Sequence, residues 1–145
     1  MIQILSAIHA KQCSDLHSVC FDKQWSQSEF ADFFANQSMM LLGYWDNDTL
    51  IGLLCLSIVG SEAEIYTLCT HPEYRKKNIA SSLIHITKQE CYGRLVTDIF
   101  LDVAIDNILA IECYKKQGFK IIHTRKNYYT INNHYVDALM MRLEL

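Results

Sequence analysis

The sequence predicts a mixed α/β or α+β fold around one central sheet, and three observations carry that prediction. Residues 64–83 read as a strand, a basic turn and a helix; residues 96–117 read as a second strand and helix; and two long strand-like stretches close the chain around Ile131, Asn132 and Asn133. No repeat, linker or low-complexity segment interrupts them. At 145 residues, half of them apolar, the chain suits a single domain, residues 1–145, that buries a core without disulfide staples.

Each element has a local reason. Residues 2–8 read as a first strand, after which Cys13, Leu16, Val19 and Cys20 form a helical apolar stripe. Ser26 and Glu29 have the spacing of a capping box ahead of Phe30, Phe33 and Phe34, whose rings then face a core. Residues 39–45 and 50–59 are strands joined by the polar turn Asp46, Asn47, Asp48 and Thr49, and Gly60 and Ser61 turn the chain again. Ile65, Tyr66, Leu68 and Cys69 suit a buried strand, Pro72 cannot continue it, and Ile79, Leu83 and Ile86 take up a helical period that ends near Gly93. Residues 96–104 follow as a strand, so this unit predicts a right-handed crossover between parallel neighbours. Asp106 or Asn107 caps the next helix, and Gly118 ends it in the left-handed conformation. Residues 119–130 and 134–143 form the closing hairpin.

Composition sets outer bounds. A net charge of -3 argues against direct nucleic-acid binding, since affinity for a phosphate backbone needs a basic face. The six cysteines contain no C-x-x-C pair, which predicts free thiols in a reducing cytosol rather than a metal site or disulfide framework. Residues 1–10 lack the basic flank and apolar length of a signal peptide, and no apolar run is long enough to span a membrane; a cytoplasmic protein without a membrane partner is expected. His71 and His134 have no identifiable partner and read as loop or surface residues.

The start of the helix at Ile79 is the first candidate site. Its opening turn leaves backbone N–H groups without internal partners at the positive end of the helix dipole, beside Arg75, Lys76 and Lys77. That combination suits a phosphate. On the following helix, Asn107, Ala110, Ile111 and Tyr114 lie at i, i+3, i+4 and i+7, so the Asn amide and the phenol share a face.

The turn R-K-K-N-I-A, Arg75 to Ala80, resembles the acyl-CoA pyrophosphate loop of the GNAT superfamily of N-acetyltransferases. Asn78 stands where that pattern has Gly, and Asn is the next most tolerant residue of positive φ. The stretch L-D-V-A-I-D-N-I-L-A-I-E-C-Y-K-K-Q-G-F, Leu101 to Phe119, is similar to the family's second signature. With R-K-N-Y-Y at Arg125 to Tyr129 and Trp25-Ser26 upstream, the chain resembles the bacterial ribosomal-protein-alanine N-acetyltransferases within that family.

The resemblance implies a mixed, mostly antiparallel sheet of about seven strands flanked by helices, and acetyl-CoA as cosubstrate. It implies that Arg75, Lys76, Lys77, Asn78, Ile79, Ala80, Ser81 and Ser82 bind the pyrophosphate, that Leu68, Cys69 and Thr70 hold the acetyl and pantetheine groups, and that Asn107 hydrogen-bonds the same region. Tyr114 would be the general acid, and either Asp102 or Glu64 the base. The implied acceptor is a protein N-terminal α-amine, with a ribosomal protein as partner; Tyr128, Tyr129 and Trp25 would wall it. A small-molecule amine acetyltransferase and a silent acyl-CoA-binding module are the alternatives.

Overall fold

The computed structural model describes residues 1–145. The chain forms β1 (Ile2–Ile4), α1 (Ala10–Cys20), α2 (Gln27–Ala35), β2 (Met39–Asp46), β3 (Thr49–Val59), β4 (Glu62–Thr70), α3 (Ile79–Gly93), β5 (Asp98–Ala104), α4 (Ile108–Lys116), β6 (Lys120–Ile131) and β7 (His134–Glu144). The seven strands make one sheet in the order β1-β2-β3-β4-β5-β7-β6. Every neighbouring pair is antiparallel except β4 and β5, which α3 connects as parallel neighbours. The mixed, mostly antiparallel sheet of the sequence reading is therefore what the chain builds.

Two cores hold the sheet from opposite faces. On one, Ile79, Leu83 and Ile84 of α3 and Ile111 and Tyr114 of α4 pack on Ile51, Leu54, Ile65, Leu101, Val103 and Met141. Burying each aliphatic side chain of this kind contributes about 1.5–3 kcal/mol before entropy is counted. On the other face, Cys13 and Leu16 of α1 and Phe30 of α2 cover Leu41, Leu53, Cys55 and Cys69, all on β2 to β4. Gly52 lets α3 settle close to the sheet, since a Cβ there would lie 2.7 Å from Ile79 Cγ2. Lys88 of α3 donates to the Gln117 carbonyl at the end of α4 and ties the two helices together.

Several elements depart from the sequence reading. The first strand stops at Ile4, because the chain turns at Ser6, whose N–H donates to His9 Nδ1 at 3.1 Å, into a short 3-10 turn. In α1 the buried stripe runs through Cys13, Leu16 and His17, leaving Val19 half exposed. The helix cap is as read: Glu29 N–H donates to Ser26 Oγ at 3.1 Å. Of the three phenylalanines only Phe30 is fully buried. The closing turn uses Asn132 and Asn133, both left-handed, the geometry that a two-residue hairpin demands.

Candidate active site

A gap in the sheet organises the site. The parallel ladder of β4 and β5 runs only from Glu62 opposite Asp98 to Ile65 opposite Leu101. Just there β4 carries an irregularity: Cys55 of β3 pairs with Thr67 and Leu56 with Ile65, so Tyr66 is an extra residue that bends the strand. Beyond it β4 stays with β3 as far as Thr70 and β5 stays with β7 as far as Ala104, with no ladder between them. His71 N–H donates to the Ile51 carbonyl at 2.8 Å, which fixes the direction of the alternation along β4. Cys69 therefore points its N–H at β3, while Leu68 and Thr70 turn theirs to the gap. The expected Leu68, Cys69 and Thr70 set is thus refined: Cys69 offers no N–H, and its side chain is buried in the core beneath α1.

At the foot of the gap lies the basic turn. Asn78 is left-handed, with φ 62° and ψ 19°, as its place in the motif implies, and Lys76 is left-handed as well at φ 62°. The Asn78 side chain makes no capping bond, whereas its carbonyl accepts from Ser82 N–H at 3.0 Å and Ser82 Oγ at 2.8 Å. The N–H groups of Ile79, Ala80 and Ser81 are thereby left as the free donors of the first turn. A diphosphate fits this place on two counts, the uncapped helix start and the left-handed residues that turn backbone N–H groups into a concavity. Lys77 lies 5.2 Å over the Tyr74 ring. Arg75 instead folds back, its Nε donating to the Thr70 carbonyl at 3.3 Å, where Cys20 Sγ also donates at 3.5 Å. Its charge is thus shared with the mouth of the gap.

The side chain of Tyr114 packs among the core residues of α3 and α4, its ring edge-on to Phe119 at 5.7 Å. Burial, chiefly, pushes its phenol well above the ordinary tyrosine range, and neighbouring Cys113, Tyr129 and Cys69 push the same way. Those neighbours belong to α4, β6 and β4, so the phenol stands where the three elements converge on the gap. Asn107 caps α4, its Oδ1 accepting from Ala110 N–H at 3.3 Å, and is exposed. The oxygen is thus committed to the cap while the amide NH2 stays available.

The two carboxylates open on the other face. Ile99, Leu101 and Val103 of β5 point into the core under α3 and α4, so Asp102 points away from it, on the side where α1 and α2 cover β2 to β4. Glu64 pairs opposite Phe100, on that same face. Glu64 is exposed; Asp102 is largely buried, and its Oδ1 accepts from Arg125 Nε at 3.1 Å. The Arg125 guanidinium also lies 5.3 Å over the Tyr128 ring, and Tyr128 meets Tyr129 edge-on at 5.0 Å. Burial first, then Asp102 and Tyr128, pushes the Tyr129 phenol up to about 12. The sequence reading placed the two tyrosines here but missed the Arg125 to Asp102 pair. Trp25 stacks on His17 at 4.7 Å and packs against Phe30 and Phe33 between α1 and α2, on the same face of the sheet as the two carboxylates.

A sheet that splits between two parallel strands, with a phosphate-suited turn below the split and a phenol beside it, suits a transferase that takes an extended, phosphate-bearing ligand, and comparison with known proteins gives its family. Residues 10–119 match the Acetyltransferase (GNAT) family, and the chain belongs to it. It is an N-acetyltransferase that uses acetyl-CoA. It is 27% identical over 123 residues to the ribosomal-protein-bS18-alanine N-acetyltransferase of Escherichia coli, covering 83% of this chain and 81% of the relative. It is 32% identical over 124 residues to N-alpha-acetyltransferase 50 of Danio rerio, covering 82% and 73% respectively. The crystal structure of the ribosomal-protein-S18-alanine N-acetyltransferase from Escherichia coli superposes with a TM-score of 0.93 at 22% identity, over 99% of this chain and 92% of that one.

Proposed function

We propose that the protein acetylates the N-terminal α-amine of a protein, with the N-terminal alanine of a small-subunit ribosomal protein as its substrate. The observation that carries this reading is the opposition of two faces at one gap. The phosphate-suited turn and Tyr114 serve one face, Asp102, Glu64 and the two tyrosines serve the other, and the ribosomal-protein-S18-alanine N-acetyltransferase shares the fold. An α-amine loses its proton at about pH 7.7–8.0 and a lysine amine only near 10.4, so a site with modest bases favours the former.

The chain's residues divide the work. The free N–H groups of Ile79, Ala80 and Ser81, with Lys76 and Lys77, bind the pyrophosphate of acetyl-CoA, and Arg75 supplements them from the side of β4. The Leu68 and Thr70 N–H groups hold the pantetheine and the thioester carbonyl, and the Asn107 amide donates to the same chain. The raised phenol of Tyr114 stays protonated at neutral pH and donates to the sulfur as charge gathers there. On the amine face we assign proton acceptance to Asp102, acting through a water: Arg125 fixes one oxygen, which orients the other, while exposed Glu64 has no such orientation. Glu64 draws the ammonium toward the gap.

The test is a turnover screen with acetyl-CoA against N-terminal peptides of every ribosomal protein, with polyamines and aminoglycosides alongside. Selective acetylation of an alanine-initiated peptide is the expected result. Preferential modification of the small amines overturns the substrate, and binding of acetyl-CoA without any transfer overturns the enzyme.

A further inference from the structure

The two closing strands fall out of register opposite Asp137. Arg125 pairs with Ala138 and Tyr129 with Val136, so Lys126, Asn127 and Tyr128 of β6 stand against the single residue Asp137 of β7. An ordinary bulge sets two residues against one. A projection of this size must satisfy its own backbone donors. Asp137 does so at the apex, its Oδ1 accepting the Asn127 N–H at 2.8 Å, with Asn127 left-handed at φ 53°. The same residue's carbonyl accepts the Ile105 N–H at 2.9 Å, in the turn that leads from β5 to the Asn107 cap of α4. One residue thus fastens two rims of the site, the projection that carries Tyr128 and the turn that carries Asn107.

We propose that Asp137 is a positioning residue for the peptide substrate: its carboxylate holds the projection between Arg125 and Tyr129 so that Tyr128 and Tyr129 meet the incoming chain ready-made. The inference rests on the reading that a peptide α-amine is the acceptor. Arg125 anchors the near end of the projection to Asp102, and Asp137 anchors its middle, so the tyrosines are held at a set place relative to the carboxylates. A rigid surface binds with less loss of freedom than one that must order itself. Losing it weakens substrate and transition state alike, which raises KM and spares kcat.

The experiment compares Asp137→Ala with Asp137→Asn, which retains the Oδ1 acceptor. Each is assayed on an alanine-initiated peptide, with acetyl-CoA affinity by calorimetry and amide exchange at Asn127 measured in parallel. Asp137→Ala is expected to raise the peptide KM by ~10-fold, with kcat held within about twofold. It should also speed exchange of the Asn127 amide and leave acetyl-CoA affinity unchanged, while Asp137→Asn restores the KM and the protection. An active wild type whose Ala variant keeps its peptide KM overturns the inference alone. So does an equal loss of kcat and acetyl-CoA affinity, which marks a general disturbance of the fold. Should the Ala variant not fold, the Asn variant decides: wild-type protection at Asn127 with a KM raised as far as tenfold means that the hydrogen bond is not what matters. A wild type that modifies small amines and no peptide defeats the reading beneath, and this inference falls with it.

Discussion

Arg125 reaches across the whole width of β7 to bond Asp102, since β6 and β5 lie on either side of that strand and the Nε to Oδ1 distance is 3.1 Å. The pair ties the hairpin to the strand that borders the gap. Arg125→Gln should lower kcat/KM for a peptide by ~10-fold, as the freed carboxylate loses its orientation, and Arg125→Lys should recover only part of it because the planar fork is lost. Steady-state kinetics on one peptide series checks both.

Asp102→Asn and Glu64→Gln, compared across pH, identify the proton acceptor. The Asp102 variant should lose the most rate at low pH and regain it as the amine deprotonates unaided above about pH 8. Equal rates for wild type and Asp102→Asn throughout, with a deficit in Glu64→Gln, would transfer the role to Glu64.

Tyr114→Phe is expected to reduce kcat by ~10²-fold while calorimetric affinity for acetyl-CoA is preserved, as follows from the proposed use of the phenol only as charge develops on sulfur. An unchanged kcat would remove the phenol from the chemistry.

The left-handed turn allows a conformational test. Asn78→Gly should bind acetyl-CoA at least as tightly as the wild type, whereas Asn78→Val, strained at φ 62° by about 1–2 kcal/mol, should bind ~5–30-fold more weakly. Calorimetry distinguishes them, and a marked loss in the Gly variant would show that the amide side chain makes a contact of its own.

His17 gives a pH dependence unrelated to catalysis. Its ring is buried, stacks on Trp25 and accepts the Trp25 N–H at Nδ1 at 3.0 Å, and burial pushes its pKa down to about 4. The folded chain therefore prefers the neutral ring. The stabilisation is fully present above the unfolded value near pH 6.5 and is lost as pH falls towards 4, by about 3 kcal/mol at most. Denaturant melts between pH 7 and 4 should show the slope, and His17→Gln should flatten it.

Much of this was legible in the residues, for local reasons. Ser26 with Glu29 announced a cap, Asn132 with Asn133 announced a hairpin, and Asn78 announced positive φ, because each preference is written in a short stretch of chain. Lys76 adopts the same left-handed backbone without any signal, since a lysine does not advertise it. The packing of Trp25 on His17, Phe30 and Phe33 was not legible, because an aromatic side chain's destination depends on which helix packs beside it. The Arg125 to Asp102 and Asn127 to Asp137 bonds were beyond reach, since each depends on how strands far apart in sequence pair and slip. The rim formed by the closing hairpin is the part of the fold that only long-range pairing creates.

The brief parallel ladder between Glu62–Ile65 and Asp98–Leu101 also makes the sheet a mechanically divided one. Past it the halves β1 to β4 and β5 to β7 share no ladder, and the proposed seat of the pantetheine along Leu68 and Thr70 would put an extended molecule in the place of the missing neighbour. Bound there, the cosubstrate would double as a splint. At a hundred times its dissociation constant it would add about 2.7 kcal/mol to the resistance of the chain to unfolding. The halves should accordingly loosen from each other first, by local opening at the Ile65 to Leu101 end, whenever acetyl-CoA runs short. The supply of acetyl groups and the endurance of the enzyme that spends them would thus rise and fall together.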